Sequence, residues 1–155
     1  TALPVAVLLA QLDVLDAQIE RRTQNAAILR EELRGLAGIH WQDVPAAVNR
    51  NCWYLVLGRV DAATLGITRN QFAAALGEGG IPCTPFYPHT LYENPLYQQM
   101  PNRVTPCPVA KACIDDAFWL PHRVLLGDEA CTRALATGIR EACAKARDAQ
   151  RLTTV

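Results

Sequence analysis

The chain has 155 residues, half of them hydrophobic and 19% charged, which fits a single globular domain with a core of its own. Fifteen basic and fifteen acidic residues cancel, so the sequence carries no electrostatic footprint for nucleic acid or an anionic membrane, and neither is expected as a partner. It contains no serine, which excludes a serine nucleophile, and no glycine-rich phosphate loop of either the dinucleotide or the Walker kind.

From Val5 to Leu36 apolar residues step by four and three: Leu8, Leu12, Leu15, Ile19, then Ala26, Leu29, Leu33 and Leu36, with Arg22 interrupting the seam. This spacing predicts one long amphipathic helix. Its stripe is either core or, in the upper half, a docking face for a domain or subunit outside this sequence. The sequence starts at Thr1 with the pattern already running, so it reads as part of something larger. The apolar run Leu3–Ala10 lacks a basic leader and meets Gln11 and Asp13 at once, so it reads as neither a signal peptide nor a membrane span.

Cys52–Leu57 is aromatic and β-branched and predicts a central strand. His40 and Trp41, after a helix stop, read as surface or packing residues. Thr68-Arg69-Asn70-Gln71 is a capping-box pattern that opens a short helix from Phe72 to Leu76 or Gly77, stopped by Gly79-Gly80. Ile81–Phe86 predicts a second strand. Residues 88–106, with four prolines, predict a long irregular loop of the kind that carries function. A short helix follows over 107–116, a third strand over 118–120, and a final helix capped by Asp128 and running to about Ala149. The order suggests an α/β, or α+β, sandwich in which a small three-stranded sheet packs with helices behind the long first helix.

The densest chemistry lies in Tyr87-Pro88-His89 and Tyr92, where hydroxyls and an imidazole sit among prolines and suit a polyol or sugar. Asn51 and Tyr54, at the start of the first strand, are second-rank candidates. His122, after Leu120-Pro121, reads as a structural turn. Neither lysine, Lys111 or Lys145, stands in the apolar setting that lowers an amine's pKa. Six cysteines show no C-x-x-C pair and no zinc spacing, which predicts free thiols in a reducing compartment, with a disulfide-stapled secreted domain as the alternative.

Five stretches carry a resemblance. Leu8–Asp16 with Arg21-Arg22 and Asn25, Gly80-Ile81-Pro82 with Phe86-Tyr87-Pro88, Asn94–Tyr97, Cys107–Ala110 and Trp119–His122 follow one another in the order and spacing of the DegT/DnrJ/EryC1/StrS aminotransferases. The stretch from Trp119 to Glu129 is most similar to the 3-amino-5-hydroxybenzoate synthase and scyllo-inosose aminotransferase branches. Lys111 departs from the family, which usually has an acid there. The resemblance implies the C-terminal small domain of a fold-type-I enzyme dependent on pyridoxal phosphate (PLP), with residues 1–38 leading from a missing N-terminal large domain and 39–155 forming the small domain. It implies a cytoplasmic homodimer acting on a small-molecule keto-sugar, keto-cyclitol or related ketone. It places Tyr87, Pro88, His89 and Tyr92 on the substrate side. It also implies that the Schiff-base lysine and PLP belong to the large domain, with no catalytic residue and no bound cofactor expected in this chain alone. The alternative is a stand-alone binding module or partner subunit that keeps the fold without the chemistry.

Overall fold

The long apolar-stepped helix α1 spans Ala2–Glu32. Its two halves differ. In the second half Ile19, Ala26 and Leu29 are buried, and Leu33 follows them just past the helix end. In the first half Leu3, Val5, Val7, Leu8, Leu9, Leu12, Val14 and Leu15 are all exposed. The expected single stripe therefore holds only for the second half. In the first half apolar residues cover every side of the helix, a pattern of segments buried all round. By length and composition the whole helix is apolar enough to cross a bilayer, with a window of mean hydropathy 1.5. The computed structural model describes residues 2–101 and 103–153.

The sheet has four strands, one more than expected, all antiparallel in the order β1-β2-β4-β3. The added strand is β1, Ile39–Trp41, an edge strand paired with the far end of β2, Leu55–Val60. Three residues are too few to show alternation, so His40 and Trp41 gave no strand signal. The strand expected from Cys52 begins three residues later because Trp53 adopts a left-handed backbone, φ 50°, with its N–H donated to Asn51 Oδ1 at 2.9 Å. The expected strand Ile81–Phe86 shrinks to β3, Thr84–Pro85. Pro82 and Pro85 lack N–H donors, which confines that segment to a short edge. β4, Ala117–Pro121, lies between β2 and β3.

Val56, Gly58 and Val60 of β2 alternate inward and meet Leu120 and Phe118 of β4 in register. Behind this face pack α2 (Ala62–Leu65), α3 (Arg69–Glu78), α6 (Glu129–Thr153) and the second half of α1. Phe72, Leu76, Leu29, Leu33, Leu125 and Ile139 fill the space between. The mixed α/β sandwich behind a long first helix is as the sequence predicted. Buried Asn25 fastens α1 to the loop before α6, its Nδ2 donating to the carbonyls of Leu125 at 2.8 Å and Gly127 at 2.9 Å.

Candidate functional site

The opposite face of the sheet carries Leu57 and Arg59 of β2, with Phe86 and Cys113 beside them. Its β4 side chain is Trp119, half-buried, and the segment leaving β3 brings Phe86 and Tyr87 against it. Phe86 N–H bonds to Ala117 O at 2.9 Å, so the edge pairing continues one residue past β3 and fixes where the two rings stand. Tyr87 and Trp119 have ring centroids 5.5 Å apart, Phe86 and Trp119 5.6 Å, and Phe86 and Tyr87 5.1 Å. Tilted and edge-on geometries of this kind are the favourable ones for aromatic rings. Tyr87 is 60% exposed. The result is a wall of π-faces with a phenol at its open edge.

Three residues on from Trp119, just past the end of β4 and roughly 10 Å away by strand rise, a second aromatic pair stands at the sheet end. Tyr54 stacks on His122, 5.5 Å between centroids and 15° between planes, and His122 N–H bonds to Tyr54 O at 3.0 Å. Neither Trp119 nor His122 follows from local sequence. Trp119 looks like a core strand residue and His122 like a turn, and their roles show only once β2 and β4 are in register.

The loop after Tyr87 is less irregular than its four prolines suggest. Pro88 is exposed and His89 half-buried. Buried Thr90 opens a 3-10 turn over Leu91–Glu93, and Pro95–Gln98 forms one helical turn, α4. Tyr92 is half-buried, its hydroxyl accepting the Cys107 N–H at 3.5 Å. Cys107 immediately precedes α5, Pro108–Asp116, whose first residue is proline as the sequence predicts. Lys111 on α5 reaches back to Glu93, Nζ to Oε1 2.6 Å. The bond to Glu93 raises the Lys111 pKa above the usual lysine value, and the Lys111 and Thr90 donors lower that of Glu93.

Asn51 does not join this group. It lines a separate groove of about 770 Å³ between α1 and residues 44–53, together with Arg30, Arg34, Arg50 and Trp53. The structure thus sorts the candidates into Tyr87 on the aromatic wall, Pro88, His89 and Tyr92 on the adjoining loop, Tyr54 at the sheet end, and Asn51 apart.

Chemically the wall can stack on a ring and offer hydroxyl and imidazole hydrogen bonds. Among the described residues no group of His, Cys, Asp and Glu is placed to hold a metal ion. All six cysteines are free, and burial pushes Cys83 up to about 12 and Cys143 to about 11, which keeps both as inert thiols.

The chain resembles 3-amino-5-hydroxybenzoate synthase of Amycolatopsis mediterranei (strain S699), 30% identical over 148 aligned positions in a match that covers 91% of this chain and 38% of that protein. It is 29% identical over 157 aligned positions, gaps included, to L-glutamine:2-deoxy-scyllo-inosose aminotransferase of Micromonospora echinospora, a match that covers 92% of this chain and 37% of the relative. Among solved structures, that of a 3-amino-5-hydroxybenzoic acid synthase matches with a TM-score of 0.77 at 29% identity, over 90% of this chain and 38% of the other. The chain therefore spans under two fifths of the length of these relatives. Matched by one family model from residue 1 to residue 137, the chain belongs to the DegT/DnrJ/EryC1/StrS aminotransferase family.

Proposed function

We propose that the full-length protein is a PLP-dependent aminotransferase that moves an amino group from glutamine or glutamate to a keto-sugar, keto-cyclitol or related ketone in secondary-metabolite or cell-surface sugar biosynthesis. In this reading residues 1–38 lead in from a large N-terminal domain, residues 39–155 are the small domain, and the working unit is a cytoplasmic homodimer. Family membership supports the reaction class. The observation that carries the role of this chain is the exposed Tyr87 ring packed on Phe86 and Trp119. A ring-shaped substrate lies flat on such a surface, and the phenol can bond its substituents.

Neither lysine of this chain suits the Schiff base to PLP. The cofactor needs an amine that sheds its proton readily, and the bond to Glu93 moves Lys111 in the opposite direction. Lys145 stands exposed on α6, beside Glu141 in a shallow groove away from the wall. No step of the chemistry is therefore assigned here. The chain orients substrate and closes the cleft.

The test is Tyr87→Ala in the full-length enzyme. Turnover of the keto substrate should fall roughly 2- to 10-fold in kcat/KM, the worth of one aromatic contact. Bound-PLP absorbance and its response to the amino donor should not change. Loss of PLP binding, or unchanged turnover, removes Tyr87 from the substrate side.

A further inference from the structure

We propose that Lys111 is a positioning residue, the fastening point of a latch that holds the His89–Tyr92 turn beside the aromatic wall. The substrate role of that turn rests on the function proposed above; the latch itself does not.

The latch is a chain of contacts rather than one ion pair. Lys111 Nζ donates to Glu93 Oε1 at 2.6 Å. The other carboxylate oxygen, Oε2, accepts from Thr90 Oγ1 at 2.8 Å and from Thr90 N–H at 3.3 Å. Thr90 is buried, only 7% exposed, so this end is anchored in the fold while the lysine end is half-exposed. One residue from Glu93, Tyr92 makes the second tie, accepting the Cys107 N–H at the root of α5. Both ties cross from the turn to the same short helix. That helix is itself pinned on two sides, to α3 where Arg69 Nη1 bonds Ile114 O at 2.7 Å, and to the sheet where Arg59 of β2 pairs bidentately with Asp116 at 2.9 and 2.5 Å. His89 adjoins Thr90, so whatever fixes Thr90 and Glu93 fixes the backbone from which the imidazole projects.

The charge logic requires a cation here. An acid at position 111 would face the Glu93 carboxylate and push the turn away. A solvent-exposed pair stabilises weakly on its own, so the expected effect is a change in how often the turn opens rather than in whether the domain folds.

Trypsin cleavage at Arg103, exposed in the same loop, reads that opening. The full-length protein is compared as wild type, Lys111→Met, Lys111→Arg, Glu93→Gln and the Glu93→Gln/Lys111→Met double variant, with cleavage followed by mass. Glu93→Gln keeps an oxygen for Thr90 and removes only the charge. Each of Lys111→Met and Glu93→Gln should speed cleavage about two- to five-fold, the opening expected from losing an exposed pair in a network. The double variant should be no faster than the faster single, because the partners act together. Lys111→Arg should stay near wild type. In the same preparations, KM for the keto substrate should rise in Lys111→Met with bound-PLP absorbance unchanged. Wild-type cleavage in Lys111→Met, or effects that multiply in the double variant, overturns the latch. If cleavage responds as expected but wild type turns over no keto substrate, the latch stands and the proposed function falls.

Discussion

Gly58 shows how much one residue can decide. It sits in β2 opposite Phe118, and a Cβ there would lie 2.5 Å from the Phe118 ring, closer than any real contact. The missing side chain lets Phe118 lie flat under the sheet, where it meets Trp41 at 5.7 Å and Phe72 at 5.1 Å. Phe118 is fully buried and sits one residue before Trp119, so a ring displaced inward pulls on the wall outward. Gly58→Ala should destabilise the domain by about 1–3 kcal/mol, the usual cost of overpacking. Denaturant unfolding measures it. A Gly58→Ala protein as stable as wild type would mean the ring swings aside freely.

Among the elements, legibility tracked how local the cause was. The capping box that opens α3 could be read outright, although the helix begins at Arg69 and not at the expected Phe72. Thr68 and Gln71 exchange bonds as a capping box, Thr68 N–H to Gln71 Oε1 at 2.8 Å and Gln71 N–H to Thr68 Oγ1 at 3.3 Å. Its end was equally plain, since Gly80 takes φ 76° and passes the chain on, with Ile81 N–H bonded to Leu76 O and Gly80 N–H to Gly77 O. β1 was invisible because its signal is a partner, not a pattern, and β3 was overlong because the weight of Pro82 and Pro85 was missed. The same divide runs through the site. Tyr87, His89 and Tyr92 stood out by composition, whereas Trp119 and His122 needed the strand register, and Trp53 needed its left-handed backbone to be seen. The final helix offers a test at this scale. Asp128 Oδ1 accepts the Cys131 N–H at 2.8 Å, and chiefly that bond lowers the Asp128 pKa below its usual value. A carboxyl whose pKa is depressed by folding stabilises above its unfolded pKa and stops doing so as pH falls through the folded one. Wild type should therefore melt above Asp128→Asn at neutral pH, with the gap in Tm closing as acid passes below the ordinary aspartate range. A gap that persists unchanged in acid would show that the charge on Asp128 contributes nothing to the cap.

At the scale of the whole molecule the decisive feature is the first half of α1. Residues 2–17 are exposed along their full length and eight of them are large and apolar. A helix of about that length is marginal in water when nothing packs on it, whereas Ile19–Leu33 shares one core with the sheet. Exposed apolar surface on this scale marks an interface or a binding groove. Each side chain buried there would contribute about 1.5–3 kcal/mol at most, so eight together exceed the stability of many domains. In the proposed enzyme the N-terminal large domain supplies the cover. Hydrogen exchange separates the two halves. In the 155-residue chain alone, amides of residues 5–15 should exchange near the rate of an unpacked helix while those of 26–33 are strongly protected, and the chain should self-associate as its concentration rises. In the full-length protein both halves should be protected, and replacing Leu8 and Leu12 with lysine should expose residues 5–15 again while leaving 26–33 unchanged. Fast exchange of residues 5–15 in the full-length protein would mean the large domain does not cover them, and co-flotation of that protein with lipid vesicles would then assign the apolar half to a membrane surface.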